Sequence, residues 1–428
     1  MFYIKNKSTV SLIRNLLLLV MICSFVPNII AQNPVSKEDQ MVSEFYEING
    51  QQLHWFSANK NIKNAAQWLT MLGSADDFGI VVNKLQISKL QTDIENHRAL
   101  DVNARVETDK QITGLVLNFL KALQEGNLTF EYDEVSVPRD SVYIFQLLNS
   151  KPRGSVSKLV SQLECKDHDY VVLKKYLHDS INSGDTFKYK TVVLALNYLR
   201  YLSVYHQTEY IIANIPATEV EYYKDEMLVL KMRSVVGKKA NPTPVMASYI
   251  SSIVTFPHWN VPYTVAVNEI LPKVQKDADY LEQHNFEVVD AKGNAVDDSE
   301  LNWLDYSEKN FPYFFRQSTG ADNALGVLKF NLQNPFSIFL HSTSWQGAFD
   351  KDFRFLSHGC IRLEKPFDLA DALLRGNLDV DELKRGKENT ESKTIKLPQK
   401  VPTFIIYVPV KVNGAQVIFL QDVYKLIK

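Results

Sequence analysis

The sequence predicts a multidomain α+β protein: a helical N-terminal domain, then a mostly β domain with a small subdomain inserted in it. Three observations predict this. Apolar residues recur at helical spacing through about 37–205, β-rich runs broken by turn residues take over after about 208, and residues 257–315 interrupt those runs.

In the first part, Ile112, Leu115, Val116, Phe119, Leu120 and Leu123 fall on one helical face with Gly126 as a stop. Ala65, Trp68, Leu69 and Leu72 before Gly73 repeat the pattern. In the second part, Tyr210–Ile215 and Leu228–Leu230 read as strands, and Thr403–Leu420 reads as a hairpin about Asn413-Gly414. Between them, Pro257-His258-Trp259-Asn260-Val261-Pro262 opens the insertion, a segment suited to walling a pocket. The charged stretch from Arg375 to Leu397 reads as a solvated loop.

The 428 residues suffice for two or three domains, and 45% hydrophobic residues make a packed core possible. Residues 1–31 read as an export signal: Lys5, Lys7 and Arg14 precede the apolar run Leu16–Ile22, and Ala31 offers a cleavage site. An uncleaved signal would be the chain's one route to a membrane. Removing it takes away those three basic residues and no acidic one, leaving 44 basic against 49 acidic and a net charge of −5. There is no basic surplus of the kind nucleic-acid binding requires.

Outside the signal, Cys165 and Cys360 are the only cysteines. Cys165 sits beside Lys166 and Asp167 and reads as a small buried hydrophobe. Cys360 has a chemical context. Asn334-Pro335 leads into what reads as a buried strand ending at His341, a polar loop follows, and Ser357-His358-Gly359-Cys360-Ile361-Arg362 precedes a helix starting at Pro366. A thiol near pKa ~8.5 is mostly protonated at neutral pH and needs a base, which His341 or His358 can supply. Gly359 lets the backbone approach a substrate carbonyl, and the N–H groups of Gly359 and Cys360 are candidate oxyanion donors. No carboxylate is spaced to orient His341, which leaves a carbonyl such as that of Ser342. A zinc site of His341, His358 and Cys360 lacks a recognisable fourth ligand, so neither metal nor cofactor is expected.

These residues resemble the L,D-transpeptidase family with its YkuD-type catalytic domain, whose motif is a histidine, a gap, then Ser/Thr-His-Gly-Cys followed by Arg or Asn. Trp259-Asn260-Val261-Pro262, Arg316-Gln317, Asn323-Ala324-Leu325-Gly326 and Lys329-Phe330 resemble the large capped subgroup of Gram-negative bacteria. The resemblance implies a scaffold domain over 37–205, a catalytic domain over 208–428 and a capping subdomain over 257–315. It implies that Cys360 is the nucleophile and His341 the base. Ser342, Ser357, His358, Gly359 and Arg362 would support them, and Trp259, Asn260, Arg316, Gln317 and Asn323 would line the substrate pocket. The implied partners are peptidoglycan stem peptides as donor and acceptor, joined 3→3 in the periplasm through a thioester, with acylation by carbapenems. The alternatives are a carboxypeptidase using the same residues and a non-catalytic wall-binding scaffold. The chain departs from the subgroup in two ways: too little sequence lies between 150 and 205 for a separate wall-binding module, and Ser342 stands where Asp is common.

Overall fold

The computed structural model describes residues 37–428 apart from 137–140, 150–154, 206–207, 321, 378 and 386–390. The export signal read at 1–31 lies outside the described residues.

Among the described residues, eight helices build the N-terminal part: α1 (Lys37–Ile48), α2 (Asn59–Gly73), α3 (Lys84–Glu95), α4 (Val102–Glu125), α5 (Ser141–Asn149), α6 (Val156–Leu163), α7 (His168–Ser183) and α8 (Thr186–Ser203). The longest, α4, starts where the Asp101 side chain accepts from Ala104 N–H at 2.8 Å. It ends at Gly126, where φ is +69° and a Cβ would lie 2.2 Å from the Asn197 carbonyl oxygen. Only glycine lets α4 approach α8 this closely. Its apolar face packs with Phe45, Trp55, Trp68, Leu69 and Phe145. In that core Asp109 is fully buried; its carboxylate accepts from Tyr46 OH and from the N–H groups of His54, Trp55 and Phe56.

The helical part is not a separate body. Residues after α4 cross to the β domain, where β1 (Tyr132–Asp133) pairs parallel with β5 (Met246–Thr255). Helices α7 and α8 bury Tyr170, Leu173, Leu196 and Tyr201 against the outer face of the sheet, with Tyr210, Ala247 and Phe404.

The remaining main-sheet strands are β2 (Tyr210–Asn214), β3 (Glu219–Lys224), β4 (Met227–Gly237), β10 (Leu328–Leu332), β11 (Leu340–His341), β12 (Phe355–Ser357), β13 (Ile361–Leu363) and β14 (Lys393–Ile406). Their order runs β1-β5-β10-β11-β13-β4-β3-β2-β14, and β14 also pairs with β5, so the path closes on itself. Inside the ring lie Ile211, Val220, Ile253, Phe330, Leu340, Ile361 and Ile405. The helix Pro366–Leu374 adds Leu369, Leu373 and Leu374 to that core. Three buried leucines at about 1.5–3 kcal/mol each outweigh the ~1 kcal/mol its uncapped N-terminus forgoes.

Residues 257–317 form the insertion, with a core of its own around Val265, Leu271, Trp303, Phe311 and Phe315. Its sheet runs β6 (Trp259–Asn260), β9 (Phe314–Gln317), β7 (Phe286–Val289), β8 (Ala295–Val296). The insertion therefore extends two residues past 315.

Three sequence expectations are corrected. Residues 334–339 do not form a buried strand: Asn334 folds them into a loop, and only Leu340 and His341 join the sheet. The stretch 375–397 is not all loop, because Val380–Arg385 is helical and β14 starts at Lys393. The C-terminal hairpin exists as β15 (Val410–Asn413) and β16 (Gln416–Phe419), but Asn413 pairs with Gln416, so Gly414 and Ala415 make the turn. Thr403–Ile406 belongs to β14 instead.

Candidate active site

Strand register assembles the site. β11 lies between β10 and β13, and Lys329, His341 and Arg362 stand side by side across the three strands. Side chains alternate along a strand. Phe330, Leu340 and Ile361 therefore point into the ring and are fully buried, while Lys329, His341 and Arg362 share the opposite face. Cys360 precedes Ile361, whose N–H donates to Phe339 O at 3.1 Å, and alternation puts the thiol on the same face as Arg362.

The Ser357–Cys360 loop is tightly held. Ser357 is buried; its Oγ donates to Cys360 O at 2.6 Å and accepts from Gly359 N–H at 3.1 Å. Gly359 has φ +117°, and a Cβ there would lie 2.9 Å from Ile338 Cδ1. Its carbonyl accepts from Thr243 Oγ1 at 2.7 Å, and that oxygen accepts from Gly237 N–H at 2.9 Å. Tyr424 OH donates to the Gly237 carbonyl at 2.5 Å, so the C-terminal segment backs the loop.

The thiol and imidazole are both neutral near pH 7. Burial pushes the Cys360 thiol up to about 11, against the opposing pull of the Phe339 N–H and of the Lys329 and Arg362 charges. Burial, then the Arg362 charge, holds His341 down to about 3; the facing carbonyls of Ser342 and Leu325 oppose this, and Lys329 adds to it. No hydrogen bond joins Cys360 to His341 among the described residues. The sulfur instead lies 3.8 Å from the Ser337 carbonyl oxygen, and His341 Nδ1 is buried without a partner. Ser337 has φ +57° and sits in the loop whose turn Asn334 bonds together. The arrangement is a neutral thiol and a neutral imidazole on one face of the sheet, with the Lys329 and Arg362 charges favouring a thiolate.

Other expected residues take different places. Gly359 N–H is spent on Ser357 and is not a free oxyanion donor; Cys360 N–H donates no hydrogen bond among the described residues. The Ser342 carbonyl makes no hydrogen bond to the His341 imidazole among the described residues, and the Ser342 Oγ donates to Leu325 O and accepts from Leu328 N–H, both at 2.9 Å. His358 turns away from Cys360: its Nε2 lies 2.6 Å from Glu269 Oε1 of the insertion and 3.0 Å from Lys238 Nζ. His341, His358 and Cys360 thus do not converge as metal ligands among the described residues.

The five expected pocket residues make their contacts within the insertion and at its neck. Asn323 is buried and donates to the carbonyls of Pro257 and Ser318, bracing the neck of the insertion. Gln317 donates to His284 O and accepts from Ala324 N–H. Arg316 pairs with Glu287 at 2.6 Å. Trp259 and Asn260 pair with Gln317 and Arg316 in β6 and β9. None of their hydrogen bonds, ring contacts or ion pairs reaches Cys360 or His341. Cys165 lies partly buried among the residues around α7 and α8, its thiol pushed up to about 12 by burial.

Sequence reasoning missed Lys329 as a site residue, along with Asn334, Ser337, Thr243, Glu269 and Trp345. Lys329 alone carried a signal, as a charged residue between the apolar Leu328 and Phe330 of one strand. Trp345, half exposed, lies 6.0 Å from the Arg362 guanidinium. A groove of about 530 Å³ adjoins the loop, lined in part by Pro242, Phe336, Ile338, His358 and Tyr424.

Residues 208–384 match the L,D-transpeptidase catalytic domain family, YkuD, and residues 40–177 match the Scaffold domain family. A Haemophilus influenzae protein, named provisionally as an L,D-transpeptidase, is 36% identical over 238 residues, covering 55% of this chain and 48% of its own. The chain thus spans about half the length of that curated relative. Among solved structures, an Enterococcus faecium L,D-transpeptidase mutant is 12% identical, covering 46% of this chain and 50% of its own with a TM-score of 0.23. An L,D-transpeptidase from Mycobacterium smegmatis is 15% identical, covering 46% and 58% with a TM-score of 0.24.

Proposed function

Residues 208–384 place this chain in the L,D-transpeptidase family, and from that premise we propose that it cross-links peptidoglycan stem peptides 3→3 through a thioester on Cys360. His341 takes the thiol proton as the sulfur attacks the carbonyl at the L-centre of the third stem residue. The tetrahedral adduct collapses, the terminal D-amino acid leaves as an amine carrying the proton from His341, and a thioester remains. The side-chain amine of a second stem then attacks, His341 takes its proton, and the thiol is regenerated. Cys360 N–H is the backbone donor left for the oxyanion.

The observation that carries this reading is the row of Lys329, His341 and Arg362 beside Cys360, with His341 held neutral. A neutral imidazole accepts a proton; an imidazolium does not. The reaction belongs in the periplasm, which agrees with the export signal read at 1–31.

Purified protein incubated with tetrapeptide muropeptides tests the proposal. Cross-linked dimers, with a carbapenem adduct on Cys360 by intact mass, are the expected result. Tripeptide alone would mean that water resolves the thioester, making the protein a carboxypeptidase. Neither product nor adduct would end the reading.

A further inference from the structure

Two cations on the site face have no anionic partner among the described residues. Lys329 Nζ lies 4.3 Å from the Phe339 ring centroid and makes no ion pair among the described residues. The Arg362 guanidinium lies near the Trp345 ring and makes no side-chain hydrogen bond among the described residues, and its Nε is buried without a partner. Burial lowers the pKa of both, and the titratable group that favours either charge is the Cys360 thiol. Other arginines of the catalytic domain have defined partners: Arg233 pairs with Glu364, Arg316 with Glu287, and Arg354 bonds Thr218. Lys329 and Arg362 stand on the two strands that flank β11, about 5 Å each side of His341, and withdrawing two unpaired like charges from water there is costly unless an anion offsets them.

The position of the pair says what that anion is. Arg362 follows Cys360 by two residues, roughly 7 Å along the strand. In the donor stem the residue beyond the scissile bond carries its carboxylate on the carbon next to the leaving nitrogen, within about 5 Å of the attacked carbonyl. We propose that Lys329 and Arg362 form a subsite for the α-carboxylate of the D-amino acid at the reacting bond, an inference that rests on the stem-peptide reading above. The attacking amine of the acceptor sits beside a carboxylate when the third residue is diaminopimelate, so one subsite serves the leaving and the entering amine in turn. The carboxylate also offsets the two charges that depress His341, so a bound substrate makes the imidazole a stronger base.

The test compares two donor tetrapeptides, one with a free terminal carboxylate and one with a terminal carboxamide, in the full chain. Wild type is expected to favour the carboxylate by at least about tenfold in kcat/KM, the scale of a charge-assisted bond. In Lys329→Met and Arg362→Gln that ratio should fall to within about threefold, and Lys329→Arg should restore it. Thermal melts and alkylation of Cys360 by iodoacetamide show that each variant is folded. Equal wild-type rates on both peptides, or variants that slow both while keeping the ratio, overturn the subsite and leave the transpeptidase reading standing. If wild type forms no thioester with either peptide, that reading falls and takes the subsite with it.

Discussion

Asp109 in the helical core and Lys329 with Arg362 on the barrel face are charges removed from bulk water, and the protein treats them in opposite ways. Asp109 is met by the Tyr46 hydroxyl and three backbone N–H groups, so its carboxylate knits α4 to the turn at His54–Phe56. Lys329 and Arg362 meet an aromatic ring each and no acid. Between them His341 Nδ1 is also unpartnered. A charge that holds a fold together is bonded within that fold, and a charge meant for a ligand is left open until the ligand arrives. Arg200 falls between these cases: it is buried, bonds Phe78 O and Tyr170 OH, and leaves Nε and Nη1 without partners.

The comparison can be broken in several ways. Cys360→Ala should lower acyl transfer by at least about 10³-fold with the thermal midpoint within about 2 °C of wild type, because the loop is held by Ser357, Thr243 and Tyr424 and not by the sulfur. Retained turnover would remove Cys360 from the chemistry. His341→Gln should cost about 10²–10⁴-fold in the acylation rate, and His358→Gln less than about tenfold, since His358 faces Glu269. The reverse ranking would reassign the base.

Asp109→Ala should lower unfolding free energy by about 3–5 kcal/mol in urea titrations, while the folded variant still acylates Cys360. A loss below about 1 kcal/mol would mean that water replaces the carboxylate.

The pH behaviour sharpens the point. With His341 held down to about 3 and the Cys360 thiol pushed up to about 11, kcat/KM for acylation should stay level between about pH 5 and 8. An inflection at the ordinary imidazole value, about 6.5, would mean that His341 is wetter than its burial implies. A tenfold rise per pH unit would mean the thiolate reacts without the base. The same depression makes His341 an acid-sensitive element of stability. As pH falls from about 6.5 towards 3, the unfolded chain takes up a proton that the folded chain refuses, so stability declines across that window. His341→Gln should flatten that decline in melts taken across the range.

The smallest effect belongs to the contact between insertion and loop. Glu269→Gln weakens an interaction whose members are partly exposed, worth about 1 kcal/mol or less. A change of about two- to fivefold in KM is expected; none at all would mean that His358 and Glu269 do not hold the insertion over the loop.

Much of the molecule could be read from residue order. Helical spacing in 37–205, the strand-rich second half, the helix at Pro366 and the inserted segment all follow from local apolar periodicity, and nearest-neighbour geometry sets that. The pair Cys360 and His341 stood out as candidates because thiol chemistry needs a base and the motif supplies one. For Trp259, Asn260, Arg316, Gln317 and Asn323, expected to line the pocket, the structure shows contacts within and at the neck of the insertion: a short motif marks where residues matter but not which way they face. Whether Asn323 meets a substrate or three carbonyls depends on a neck formed by segments from both ends of the insertion.

Sequence by itself determined the element types and the domain order, and it singled out Cys360 as the candidate nucleophile. The closure of the ring through β14 and β5, the turning of His358 to Glu269, and the row of Lys329, His341 and Arg362 were decided only by tertiary structure. Strand register sets that row: residues 12 and 21 positions apart in the chain become neighbours because β10, β11 and β13 pair with one alignment, and a one-residue slip would turn all three into the core.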